Sequence, residues 1–132
     1  MNPEIEMILR LLLATALGAG IGYQRERAKK PAGLRTHILI ALGAALFTVA
    51  SVFGFGNGVD PSRVAAGVVA GIGFIGAGVI FRTADRVAGL TTAASIWVTA
   101  SVGLAAGAGM YLVAFLVAVV AAVVLMLPKV RG

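Results

Sequence analysis

Five apolar stretches separated by short polar breaks organise this chain. Hydropathy places them at about residues 5–23, 36–53, 63–81, 90–106 and 110–127. Each is close to the roughly 20 apolar residues that a membrane-crossing helix needs. The first ends in a basic run, Gln24 to Pro31. Gly54 to Pro61 makes a turn-rich loop, Arg82 to Arg86 a polar connection, and Gly107-Ala108-Gly109 a tight turn; Pro128 stops the last stretch. The pattern predicts one all-α domain over residues 1–132, a bundle of about five membrane-crossing helices.

The bases orient that bundle. Arg25, Arg27, Lys29, Lys30, Arg35, Arg82, Arg86, Lys129 and Arg131 fall on one side, and only Arg63 lies in a loop on the other. The positive-inside rule then puts the amino terminus outside and the carboxyl terminus in the cytoplasm. The first stretch reads as a retained helix rather than a signal peptide, because the basic cluster follows it.

Composition agrees with a lipid environment. Of 132 residues 60% are apolar and 12% charged, about half the charge of an ordinary soluble domain. The net charge of +6 is explained by topology, so no nucleic-acid partner is expected. The chain has no cysteine. No carboxylate lies deep in a span, and no nucleophile–base pair is apparent. Neither an enzyme nor a dedicated metal or cofactor site is expected.

A tandem repeat is suggested by Ala32-Gly33-Leu34-Arg35-Thr36 and Ala88-Gly89-Leu90-Thr91-Thr92, 56 positions apart; Gly20 and Gly76, and Gly22 and Gly78, share the offset. This would be two helical hairpins plus a fifth helix. Chance matching in a Gly/Ala-rich chain is the alternative.

Gly71 to Gly76 spells a formal GxGxxG. The dinucleotide fingerprint requires a strand before it and a wetted helix start after, which an apolar span does not offer. Gly67, Gly71 and Gly78 share one helix face, and Gly73 and Gly76 the other. This predicts a central third helix packed tightly on two sides, as small residues permit in lipid. Gly18 and Gly22 form a similar pair in the first span.

On the fourth span Thr91, Thr92, Ser95 and Thr99 form a hydroxyl stripe, with Trp97 roughly opposite. Such a stripe suits interhelical hydrogen bonds worth about 0.6 kcal/mol each, or a narrow polar path. At the cytoplasmic mouth, Thr36 and Thr91 or Thr92 are candidate helix caps. With Glu26, Arg35, His37, Arg82 and Asp85 they would form a site for an anion or an acidic partner group. The other reading is topology-setting charge in contact with lipid headgroups. Glu6 and Arg10 are expected to pair across one turn.

These segments resemble the MgtC/SapB family of bacterial inner-membrane proteins. The resemblance rests on Gly22-Tyr23-Gln24-Arg25-Glu26, Pro31 to His37, Gly71 to Ile80, and Gly89 to Trp97. It implies a multi-pass plasma-membrane protein linked to growth in low magnesium and, in pathogens, to virulence. It implies action by regulating other membrane machinery, and it carries over Glu26, Arg35, Thr36, His37, Thr91, Thr92, Ser95 and Trp97. Many members have an acid at the position of Gln24, and well-known ones continue into a soluble domain where this chain stops at Gly132. The expected partners are the lipid bilayer, a second copy in a homodimer, and a membrane protein or small peptide. Two alternatives stay open: a small ion or solute transporter using the hydroxyl stripe, and a structural bundle acting only through a partner.

Overall fold

The structure is a computed structural model, and it describes residues 2–82 and 84–128. It is essentially all-α: α1 (Pro3–Arg27), α2 (Leu34–Phe53), α3 (Ser62–Ala77), α4 (Leu90–Gly107) and α5 (Tyr111–Leu125), with a two-residue hairpin, β1 (Phe81–Arg82) and β2 (Val87–Ala88), between α3 and α4. Lys129 and Arg131 lie outside the described residues.

Local chemistry sets the helix ends. Asn2 Oδ1 accepts from the Glu4 N–H, and Pro3 opens α1 where its missing donor is harmless. The loop before α3 turns at Gly56 and Gly58, both with positive φ. Asp60 Oδ1 then accepts from the Ser62 hydroxyl at 2.7 Å and the Ser62 N–H at 2.9 Å, which holds the Asp60 carboxyl below its usual range. Helix α3 stops at Ala77, four residues short of the predicted span end. The chain instead extends into the hairpin, where Phe81 pairs with Ala88 and Arg82 with Val87. Gly89 closes it at φ 86, against the Val79 carbonyl, where a side chain would collide and only glycine is at ease.

Three helices, α1, α2 and α4, are long and apolar enough to cross a membrane; α3 and α5 are apolar but shorter, at 16 and 15 residues. The outer surface carries large apolar side chains on every helix, including Leu12, Phe47, Phe74, Trp97 and Leu112. So extensive an apolar surface belongs against lipid or a partner.

The core is built from small residues. Ala14, Leu17, Ile21, Ala41, Ala45, Val102, Ala106, Ala114, Ala118 and Ala121 knit α1, α2, α4 and α5; Ala44, Ile72, Ile96 and Ala100 join α2, α3 and α4. Helices α2 and α4, not α3, are central, and α4 packs against all four of the others. Gly18 and Gly22 of α1 meet α2 at His37, Ala41 and Leu34, and Gly103 and Gly107 of α4 meet it at Ala41 and Ala45. The predicted role of the α3 glycines is therefore corrected. A Cβ on Gly67, Gly71 or Gly73 would meet nothing within 4 Å, Gly78 faces only carbonyls of its own helix, and only Gly76 approaches a neighbour, Ala93 at 3.7 Å. The glycine pattern marks small residues, but it does not say which helix comes close to them.

The repeat survives at the helix starts and not in the connections. Both α2 and α4 begin at the matched leucines, Leu34 and Leu90. Gly33 precedes α2 at φ −112, whereas Gly89 precedes α4 in the left-handed region.

Glu6 and Arg10 do pair, at 3.0 Å. Arg10 also donates to the Gly107 carbonyl at 2.9 Å and lies 4.8 Å from the Phe53 ring centroid, and the Tyr111 hydroxyl bonds Glu6. This cluster clasps four helices at the end opposite the basic run.

Candidate functional site

The basic end has two layers. The inner layer is a buried polar network across α1, α2 and α4. His37 is fully buried, and Arg25, Ser95 and Thr92 are nearly so. The His37 Nδ1 lies 2.8 Å from the Gly33 carbonyl oxygen, which can only accept, so Nδ1 carries a proton. In the neutral ring Nε2 then accepts from the Ser95 hydroxyl, 3.0 Å away. Ser95 Oγ is also 2.8 Å from the Thr92 carbonyl, so its single proton serves either partner. Beside it the Arg25 guanidinium donates to the Thr92 hydroxyl. Arg25 Nε is buried and meets no acceptor among the described residues. No carboxylate among those residues forms an ion pair with this cation; Glu6, which does pair with an arginine, holds Arg10 at the other end of the bundle.

The outer layer is a polar mouth of about 390 Å³, lined by Glu26, Pro31, Gly33, Leu34, Arg35, Thr36 and Leu39. Glu26 Oε1 accepts from the Leu34 N–H at 3.0 Å and so caps α2. The expected caps Thr36, Thr91 and Thr92 make no such bond, and Gly33 and Gly89 occupy the cap positions. Threonine is the natural choice by local sequence, but a carboxylate eight residues upstream fills the role because the turn at residues 28–33 folds α1 back onto α2. Replacing Glu26 by Ala should destabilise the protein by about 1 kcal/mol, whereas Glu26→Gln should retain most of the cap; thermal unfolding in detergent checks both.

The structure thus gathers Glu26, Arg35 and Thr36 in the mouth, with His37, Thr92 and Ser95 on the buried side. Arg82 and Asp85 are exposed on the hairpin connection and do not line the mouth. Thr91 and Trp97 are exposed, and Thr99 is buried with its hydroxyl bonded to the Ser95 carbonyl at 2.6 Å. Arg25 is the residue that sequence reasoning passes over. It counts there as one of the topology-setting bases, yet Gly18, Ile21, Gly22 and Arg25 are all buried on α1 and follow helical spacing along one face. Gln24 also acts structurally: its Nε2 donates to the Leu125 carbonyl at 3.0 Å, tying α1 to the end of α5. A carboxylate there could not donate. Among the described residues no three His, Cys, Asp or Glu side chains come together as a metal site would need.

Small-residue helix packing, a lipid-facing apolar surface and a polar mouth at a basic end define a small helical membrane protein. The MgtC family profile matches residues 11–131. The chain is 51% identical to YhiD of Escherichia coli K12, named as a candidate magnesium transporter, over 113 residues, covering 80% of this chain and 53% of that protein. It is 43% identical to SapB of Bacillus subtilis over 122 residues (86% and 52%), and 47% identical to MgtC of Salmonella typhimurium LT2 over 104 (79% and 44%). This chain belongs to the MgtC family. It spans about half the length of these curated relatives. No solved structure matches it.

Proposed function

We propose that the chain is a non-enzymatic, multi-pass protein of the bacterial plasma membrane that serves magnesium homeostasis by regulating other membrane machinery through its cytoplasm-facing mouth. The link to magnesium draws on the name of YhiD. The nine-to-one distribution of bases along the chain supports the orientation. Helices α3 and α5, with 16 and 15 residues, are roughly 24 and 22 Å long at about 1.5 Å per residue, and they cross with local thinning of the bilayer.

One observation favours regulation over conduction. The buried hydroxyls of α4 are already engaged: Thr92 with Arg25, Ser95 with His37 and the Thr92 carbonyl, and Thr99 with the Ser95 carbonyl. None of the three lines the mouth. They act as glue between helices, and the mouth is left as the accessible polar surface. The name of YhiD favours the transport reading, so both are put to one experiment. Arg35→Ala should abolish support of growth in low magnesium, while proteoliposomes holding a magnesium-sensitive dye show no influx with either the parent or the variant. Protein-dependent influx that Ser95→Val removes would establish the transporter instead. Normal growth of the Arg35 variant would remove the mouth from the mechanism.

A further inference from the structure

A second cavity, of about 670 Å³, runs between α2 and α3 and is lined by apolar residues and glycines. Phe47, Val64, Gly67, Gly71 and Ile75 are among its lining, and Leu39 lines both it and the mouth. The two cavities therefore adjoin, one polar and one apolar. Along α3 the groove extends from Val64 to Ile75, roughly 16 Å at about 1.5 Å per residue, long enough for the greater part of an acyl chain that starts at the mouth. The mouth presents one acid and one base. Glu26 spends Oε1 on the Leu34 N–H, and its other oxygen has no partner among the described residues. Arg35 is exposed and forms no ion pair there, so the two opposite charges line one cavity without meeting each other.

We infer that the mouth and the α2–α3 groove together bind one phospholipid with a primary-amine zwitterionic headgroup. The phosphate pairs with Arg35, the ammonium with the free oxygen of Glu26, and one acyl chain lies along Gly67 and Gly71. A second copy of the protein would fill the groove, but an apolar helix brings neither charge to the mouth. A purely anionic lipid satisfies Arg35 and sets its charge against Glu26. The assignment rests on the mouth being a binding site, and it names the class of ligand held there.

The test is native mass spectrometry of the detergent-purified protein with phosphatidylethanolamine, phosphatidylglycerol and phosphatidylcholine of identical chains. One phosphatidylethanolamine should be retained per protomer in preference to the other two. Arg35→Gln and Glu26→Gln each remove one charge-assisted hydrogen bond, the latter keeping an acceptor for the Leu34 N–H, and each should lower retention about tenfold. Gly71→Leu should empty the groove of lipid with normal helical content, because a side chain starting there meets open space. Unchanged retention in Gly71→Leu, or preferential retention of phosphatidylglycerol, overturns the assignment. So does a lipid-free dimer that Gly71→Leu dissociates, which would make the groove an interface between copies. Loss of low-magnesium growth in Arg35→Gln with lipid retention intact would sink the lipid assignment and leave the regulatory mouth standing.

Discussion

Adding a single methyl group at Gly103 should be enough to disrupt the bundle, whereas the same change at Gly71 should stabilise it. A Cβ at Gly103 would run into the carbonyl oxygen of Ala41 and lie 2.9 Å from its Cα, so backbone opposes backbone and no side chain can rotate away. The two helices must separate, and with them the contacts of Val102 and Ala106 against Ala41 and Ala45. Overpacking of this kind costs about 3 kcal/mol, at the upper end of the usual range. At Gly71 the new methyl meets nothing, and removing a glycine from a helix interior contributes about 0.5–1 kcal/mol. Unfolding by SDS in mixed micelles measures both. Equal effects at the two glycines would mean that the close approach of α4 to α2 is not what holds the bundle together.

That contrast also shows how far the sequence could be read. Hydropathy located all five helices, because the energy of placing apolar residues in lipid is summed over a whole segment and tolerates local error. It missed the end of α3, which is set by backbone pairing between Phe81 and Ala88 and by the left-handed Gly89, neither of which carries a hydropathy signal. It ran the helices correctly into Phe53 and Leu90 but stopped α1 at Tyr23, since Gln24 to Arg27 are polar and yet stay in the hydrogen-bonded ladder. Glycine spacing was a poorer guide. Gly67–Gly71 and Gly18–Gly22 look alike on paper; only the second pair has a partner helix across from it.

The site was legible in outline and not in roles. Glu26, Arg35, Thr36 and His37 sit close together in the chain, so a shared location needed only a turn between α1 and α2. Their division into surface and interior depended on which face of α2 each occupies. A single step along the helix separates half-buried Thr36, which lines the mouth, from a histidine with no solvent contact. Arg25 and Arg35 are the same residue type in one basic segment, yet the first is 2% exposed and the second lines an open mouth. A rule that counts bases treats them identically.

Because it is buried beside a hydroxyl, with no acid paired to it among the described residues, Arg25 should show a strong coupling in a double-mutant cycle with Thr92. Thr92→Val keeps the shape of the side chain and removes the acceptor, leaving a buried guanidinium without its hydroxyl partner. An unsatisfied buried charge costs more than a lost neutral hydrogen bond, and the expected destabilisation is about 3 kcal/mol. Arg25→Met removes the charge and keeps a long flexible apolar chain in its place, so stability should stay within about 1 kcal/mol of the parent or rise. In the double variant the valine methyl that replaces the threonine hydroxyl then faces an apolar neighbour, and the penalty of Thr92→Val should largely disappear. SDS unfolding of the four proteins supplies the cycle. Additive effects would show that Arg25 does not depend on Thr92. A stable Arg25→Met protein that no longer supports growth in low magnesium would make the cation a functional group, retained at the expense of stability, and would place the working surface one layer deeper than the mouth.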